Sequence, residues 1–365
     1  MEKRILAIDV LRGLTIAFMI IVNTPGSWSH VFPPLLHAEW HGCTPTDLVF
    51  PFFLFIVGVS MAFSFLKYED SQRSIWAKKV IKRGLLIFLV GLALNWFPFY
   101  HKSFSDLRLF GVLQRIGISF AGAGLLIIGI RNQKYLKGTT LAILIAYWLL
   151  LLIFGQGDPY SLEGNLSNRI DLFLFGEQHL YKGFGRAFDP EGLFSSLPGI
   201  AHVLIGYFIG KLIYDQRKDK YEILKRLLAF GLILIGTGQL WDLILPINKP
   251  LWTSSYVLYT CGLACMVLLT LIAILDIKKW TKWAYPFRVF GLNPLISYVL
   301  SVLFIKINIY FITIGDSNLY NYLYASFYKS IGSPELGSFL QALSFSTFIW
   351  FFAWLLYRKN RIIKL

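Results

Sequence analysis

Apolar runs of roughly 17 to 25 residues follow one another along the whole chain. That is the length at which a helix rising 1.5 Å per residue crosses about 30 Å of hydrocarbon. They fall at 5–24, 47–66, 81–98, 109–131, 138–154, 192–213, 224–245, 251–274, 285–312 and 336–357. Inside a bilayer every backbone polar group must be paired within the protein, so runs of this kind fold as helices. Of the 365 residues, 56% are hydrophobic and 15% charged, with mean hydropathy +0.59, too little charge to solvate a globular surface of this size. The expectation is an all-α polytopic membrane protein, a bundle of about ten transmembrane helices. The run at 138–154 is short, and the run at 285–312 carries Asn293-Pro294 and Lys306, so it is expected to be broken or tilted.

Orientation follows from lysine and arginine. The segments 1–4, 67–84, 131–138, 211–226, 276–288 and 358–365 hold 25 of the 35, whereas the alternate segments 98–108, 155–191, 246–250 and 309–335 hold 7. Positive charge stays on the cytoplasmic side, which puts both termini there. The net charge of +15 is therefore topological, and no recognition motif points to nucleic acid. Asp9 and Arg12 interrupt the first run early and no small-residue cleavage site precedes Pro25, so that run is expected to stay as a helix. The longest segment outside the runs is 155–191, leaving no room for a soluble domain, and residues 1–365 are expected to form one transmembrane domain. Cys261 and Cys265 read as apolar packing and Cys43 lies in an outer loop, so no disulfide is expected.

With orientation set, the unusual polar residues collect on the outer side. Asn23 ends the first run; His37, Glu39, Trp40, His41 and Asp47 form the loop before the second; Gln114 and Arg115 enter the fourth; FDPEG at 188–192 leads into the sixth; NKPLWTSS at 248–255 joins the seventh and eighth. Ionisable groups at a helix mouth are costly unless they do chemistry. Each also has a plainer explanation. Asp47 after Thr44 is a good helix cap, and the two roles are compatible. Arg115 lies inside an apolar run, where a guanidinium calls for a buried anionic partner. Asp189 and Glu191 fit the first turn of a helix, and Trp252 fits an interfacial belt. Arg12 with Asp9, three residues apart, reads as a structural ion pair, and Lys306 as structural too. His37 is harder to explain as packing, because an imidazole moves protons near neutral pH and stands in a cluster with His41 and Asp47. Zinc on His37 and His41 lacks a third ligand at motif spacing, so no metal is expected.

The segments LRGLTIAFMIIVN, HAEWHGCTPTDLVFPFFLFIVGVS, GVLQRIG, FDPEGLFSSLPGIAHVLIG, NKPLWTSSYVLYT and GLNPLISYV resemble, in order, the motif series of the heparan-alpha-glucosaminide N-acetyltransferase family and its bacterial relatives. The resemblance covers most of the chain. It implies transfer of acetyl from acetyl-CoA, supplied on the cytoplasmic side, to the amine of a terminal glucosamine on the other side. The family's catalytic histidine lies in an HAxWxG motif, which puts that role on His37, and its functional asparagine at the end of the preceding helix matches Asn23. The loop from Asn23 to His37 is a few residues longer than in the lysosomal enzyme, and a member without the large luminal domain before the first family helix is expected. A multi-pass protein of the bacterial inner membrane, with His37 toward the periplasm, is the expected setting.

On this resemblance a neutral His37 either takes the amine proton or accepts the acetyl group itself. Asp47 orients it, and Asn23 or Arg115 donates to the developing oxyanion. Gln114 and Arg115, with Lys78, Lys79, Lys82 and Arg83 at the cytoplasmic end, are the expected acetyl-CoA contacts. Glu39, Trp40, His41, Asp189, Glu191, Asn248 and Trp252 are the expected contacts to the amino sugar. The bilayer and a second copy are the expected partners, with 155–191 as a lid or a dimer contact. Two other readings stay open: a sugar transporter, suggested by the interrupted run at Asn293-Pro294, and an O-acetyltransferase of surface polysaccharide.

Overall fold

The computed structural model describes residues 5–67, 72–100 and 103–363. Of the loop cations, Lys3, Arg4, Lys102 and Lys364 lie outside the described residues. The long helices are α1 (Leu6–Asn23), α2 (Val49–Ser64), α3 (Arg73–Trp96), α4 (Val112–Gly129) and α5 (Gln133–Phe154). After the short α6 (Leu166–Phe175) come α7 (Ser196–Asp215), α8 (Lys220–Asp242) and α9 (Ser254–Leu271), then α10 (Tyr285–Leu292), α11 (Pro294–Tyr310), the short α12 (Leu319–Leu323) and α13 (Pro334–Arg358). The strand pairing among the described residues is slight: β1 (Thr313–Ile314) with antiparallel β2 (Ser317–Asn318), and an isolated bridge noted below.

Eight of these helices are long and apolar enough to cross a membrane, and the chain is an all-α polytopic membrane protein. The expected run at 285–312 is a pair of helices, Lys282–Leu292 and Pro294–Tyr310, bent by 78°. The bend falls at Asn293-Pro294, where proline contributes no N–H and disfavours helix at the residue before it. The expected run at 81–98 is part of a longer helix, α3, whose first half carries Arg73, Lys78, Lys79, Lys82 and Arg83. Its apolar stretch begins only at Gly84, so α3 is not among the helices apolar enough by composition alone, which among the described residues number eight, or nine with the bent pair.

Lipid does not drive helices together, so close packing must. Gly58 and Gly206 let α2 and α7 meet backbone to backbone, Gly84 and Gly117 do so for α3 and α4, and Gly13 and Gly291 for α1 and α10; a Cβ at any of them would collide with a carbonyl of the facing helix. Helix ends are capped by the residues expected to cap: Asn132, Asn165, Asp219, Asn318 and Ser333 each accept a backbone N–H two or three residues on. Lys306 Nζ donates to the carbonyls of Leu94 (2.6 Å) and Phe97 (2.7 Å) at the end of α3. Arg12 pairs with Asp9 at 3.3 Å and ties α1 to α2 through Ser60 (2.5 Å).

The bundle has two distinct ends. At one, Asp276 accepts the N–H groups of Leu6 and Ala7 at the start of α1, and Asn293 pairs with the Arg361 carbonyl and the Ile363 N–H, so both chain ends gather there. At the other, the loops 24–48, 155–195 and 243–253 meet. The 155–191 segment is not a bare loop. It contains α6, and it is anchored through aromatic contacts of Trp40 with Phe184 and Phe188.

Candidate active site

The site grows from a helix start. Thr44-Pro45-Thr46-Asp47 makes a capping box: Thr44 is the cap, Pro45 takes the first helical position, and Asp47 reaches back to the Thr44 N–H through Oδ2 at 3.0 Å. The same Oδ2 accepts the Ala38 N–H at 3.0 Å, and the Thr44 hydroxyl, which also reaches the Leu36 carbonyl at 2.7 Å, lies 3.0 Å from it. The chain at 36–38 is thereby folded onto the cap. Asp47 is both a cap and a charged anchor, and is only 1% exposed.

This fold-back brings His37 to Asp47. His37 Nδ1 lies 2.6 Å from Asp47 Oδ1, with the imidazole side chain 47% exposed and the carboxylate 2%. Lys249 Nζ stands 3.2 Å from the same Oδ1 and 2.9 Å from Nδ1. An ionised carboxylate only accepts, so the shorter contact requires a proton on Nδ1. Nδ1 then cannot also accept from Lys249, whose proton goes to the carboxylate. In the neutral imidazole Nε2 is then the lone-pair nitrogen, on a side chain half open to solvent.

The loop 246–253 carries Lys249 and is held by its neighbours. Gly42, at φ +100°, forms a parallel bridge with Asn248, its N–H donating to the Ile247 carbonyl at 2.7 Å. Asn248 Nδ2 donates to the Trp40 carbonyl at 2.9 Å and lies 3.3 Å from His41 Nδ1, while Oδ1 accepts the Leu251 N–H at 2.7 Å. Tyr147 Oη donates to the Leu251 carbonyl at 2.6 Å from α5. Trp40 Nε1 donates to the Tyr160 carbonyl at 2.8 Å. Asn248 and Trp40 thus spend their polar groups on loop docking, while Glu39 and His41 stay exposed beside His37 in sequence.

Asp189 and Glu191 do not begin α7. Asp189-Pro190-Glu191-Gly192 is a turn closed by the Gly192 N–H on the Asp189 carbonyl at 3.0 Å, and the helix starts at Ser196. Their carboxylates face Arg108, which binds Asp189 through Nε and Nη2, both at 2.8 Å, and Glu191 through Nη2 at 2.6 Å, with its guanidinium over the Tyr181 ring. Burial opposes the charge on Arg108, but the two carboxylates outweigh it and hold the guanidinium protonated. Behind the turn, Asp171 Oδ1 accepts the Leu193 N–H at 3.1 Å. Burial, added to by Asp189, raises this carboxyl to about 7.

Beneath lies a layer of buried donors. Arg115 is fully buried, with Nη2 bonded to Ser195 Oγ and its guanidinium 4.7 Å from the Trp252 ring centre. It makes no ion pair among the described residues, since Arg108 holds the nearby acids. Arg115 Nε and Nη1, Gln114 Nε2, Ser119 Oγ and Trp252 Nε1 are buried without hydrogen-bond partners among the described residues. Trp252 is 1% exposed rather than in a belt, packed on Phe50 and Tyr256, and Tyr256 Oη donates to the Asp47 carbonyl at 2.6 Å. The layer is therefore continuous with the histidine mouth.

Other expected residues are not joined to this cluster by a hydrogen bond or ion pair among the described residues. Asn23 is the exposed last residue of α1 and makes no hydrogen bond to His37 or Asp47. Lys78, Lys79 and Lys82 are exposed on α3, and Arg83 lies over the Phe120 ring at 5.0 Å. Among the described residues no three His, Cys, Asp or Glu side chains stand as a metal-ligand group. Lys249 and Arg108 escaped sequence reasoning. A signal existed: both stand in outer segments otherwise nearly bare of cations, against the topological bias.

Fold and site together define a polytopic membrane protein with a histidine–carboxylate–lysine cluster at one mouth of its bundle. The family model described as heparan-alpha-glucosaminide N-acetyltransferase, catalytic, matches residues 4–241, and the chain belongs to that family. The heparan-alpha-glucosaminide N-acetyltransferase of Mus musculus is 29% identical over 355 residues, covering 81% of this chain and 53% of that protein. The protein of the same name from Homo sapiens is 27% identical over 357 residues, covering 82% and 53%. The chain thus spans about half the length of the curated relatives it matches.

Proposed function

We propose that this chain is a transmembrane N-acetyltransferase, one domain over 1–365, that moves acetyl from acetyl-CoA to the amine of glucosamine or of a glucosamine-ended saccharide. The observation that carries the reading is the His37–Asp47 pair, which fixes the Nδ1–H tautomer and leaves Nε2 open. His37 Nε2 takes the proton of the amine as its nitrogen bonds to the thioester carbonyl carbon, and returns that proton to the departing thiolate sulfur. Asp47 stabilises the imidazolium in between. The same Nε2 suits a covalent route, in which it takes the acetyl as the thiolate leaves and then yields it to the amine. Asn23, with no side-chain partner, is the proposed oxyanion donor; Glu39 and His41 are the proposed amino-sugar contacts. Trp40, Asn248, Asp189, Glu191 and Trp252 support the acceptor site by holding the loops around it.

Arg115 Nε and Nη1, Gln114 Nε2, Ser119 Oγ and Trp252 Nε1 lack acceptors among the described residues, which suits a ligand rich in amide carbonyls such as a pantetheine arm. Lys78, Lys79, Lys82 and Arg83 are the proposed contacts to the nucleotide phosphates. The cation bias supports placing that end in the cytoplasm and His37 toward the periplasm of a bacterial inner membrane.

The test is CoA release by the purified protein and His37→Ala in nanodiscs, with acetyl-CoA alone and with glucosamine. Amine-dependent release that vanishes in the variant is expected. A stoichiometric burst without amine selects the covalent route, and equal release by both proteins overturns the assignment.

A further inference from the structure

Asp47 is more heavily engaged than orienting an imidazole requires. One buried carboxylate faces the Ala38 and Thr44 N–H groups, the Thr44 hydroxyl, His37 and the Lys249 ammonium. A buried carboxylate needs a compensating cation. Two candidates stand at Oδ1: an imidazolium at His37, or Lys249. Were His37 the compensating cation, Nε2 would carry a proton and no lone pair, and the base or nucleophile would be lost.

We infer that Lys249 is a positioning residue that neutralises Asp47, so that the carboxylate orients His37 without forcing a second proton onto it. The inference rests on the acetyl-transfer reading of His37. Carboxylate and ammonium cancel, and a neutral imidazole completes a trio with no net charge. Opposite charges at this separation attract strongly where little water screens them, so which cation compensates Asp47 decides whether Nε2 carries a proton.

Lys249 is built to stay there. Pro250 follows it and favours extended backbone at Lys249, and Asn248 before it is fully buried in the bonds that dock the loop. Four titratable groups face the ammonium. Asp47 is its ion-pair partner among the described residues. Glu191 is committed to Arg108. The Cys43 thiol is pushed up to about 12 by burial and then by Asp47, so it stays neutral. His37 Nδ1 keeps the proton it gives to Asp47. Burial lowers the Lys249 pKa below the usual lysine value and Asp47 opposes this, which makes the ammonium depend on that carboxylate as the carboxylate depends on it.

The experiment reads His37 directly. Carbethoxylation of His37 by diethyl pyrocarbonate, followed by peptide mass spectrometry from pH 5 to 9, reports its free lone pair without any acetyl transfer. In Lys249→Met the midpoint should rise by about one pH unit, a tenfold loss of reactivity on the acid side, because the imidazole becomes the compensating cation. Lys249→Arg should restore the wild-type midpoint; Lys249→Gln, which keeps a donor without charge, should repeat the methionine shift and serves if that variant does not fold. The acid limb of kcat/KM for CoA release should move in parallel. An unshifted midpoint in the folded uncharged variants overturns the role of Lys249. Absent CoA release in the wild type, with the carbethoxylation shift intact, overturns instead the acetyl-transfer reading alone.

Discussion

At the end of the bundle where the chain begins and finishes, Lys78, Lys79 and Lys82 stand exposed along α3, while at the other end Asp47, Asp171, Asp189 and Arg115 are buried. Exposed cations cost almost nothing to keep, and their worth lies in topology and in what they attract. Buried charges must be held by partners, and the partners come from distant segments: Lys249 for Asp47 and Arg108 for Asp189. A charge at the first end reports which side of the membrane it lies on, whereas a charge at the second reports an arrangement that the fold has to maintain.

The sharpest way to break this contrast is Asp47→Asn. The amide cannot neutralise Lys249 and offers one acceptor where the carboxylate offers two. Acetyl transfer should fall about 10³- to 10⁴-fold, the scale seen when an orienting carboxylate becomes an amide. Stability should fall by about 3 kcal/mol, as when a buried pair is broken from one side. His37→Ala, altering a half-exposed ring, should lose comparable activity with little change in Tm. Parallel CoA-release assays and melting curves separate the two; similar Tm losses in both variants would mean that His37 also holds the loop.

Arg108→Ala comes next. Its guanidinium binds two carboxylates in a fork, so truncation should cost about 3–5 kcal/mol in denaturant titrations in detergent. Arg108→Lys should recover only part, since an ammonium cannot copy the fork. A loss below about 1 kcal/mol would place this cluster with the exposed cations of the other end.

How much of this was legible beforehand depends on the range of the physics. Periodicity and cation bias act locally, so the spans near 5–24, 47–66 and 336–357 correspond to α1, to Pro45–Ser64 and to α13. The run at 81–98 is part of a helix that starts at Arg73 among cations, where an apolar window does not show the true end. His37 and Asp47 were visible because the capping box puts them on one local unit. Lys249 lies 212 residues from His37, and no window spans that separation. Asp189 and Glu191 resembled a helix entry because proline and acids suit one, but the same residues suit a turn, and Arg108 tips the choice from 81 residues away.

A smaller effect comes from Asp171. The folded carboxyl is held at about 7 instead of the ordinary 3.8, so the folded chain keeps a proton that the unfolded chain loses. Its contribution is therefore full below about pH 4, declines as pH rises through 7, and is flat above, a span of roughly 4 kcal/mol at most. Tm should drop between about pH 4 and 7, and Asp171→Asn, which keeps the acceptor for Leu193, should flatten the slope. A variant with an unchanged slope would trace it to another group.

The least effect is expected at the basic end, and it tests whether exposed cations do more than set topology. Replacing Lys78, Lys79 and Lys82 together by Gln should leave stability within about 0.5 kcal/mol, since none is buried. If they hold the nucleotide phosphates, KM for acetyl-CoA should still rise roughly three- to tenfold at low salt, with kcat unchanged and the difference shrinking as salt screens it. Arg83 is a separate case, because its guanidinium lies 5.0 Å from the ring centre of Phe120 on α4. Along α4 the level of Val80, packed on Gly124, lies about 15 Å from Gln114, so an elongated ligand spanning both would cross from one charge regime to the other. Unchanged KM in the triple variant, combined with a raised KM in Arg83→Gln, would move the recognition of anionic groups from the three lysines to the side of α3 packed on Phe120 and would leave the lysines as markers of topology alone.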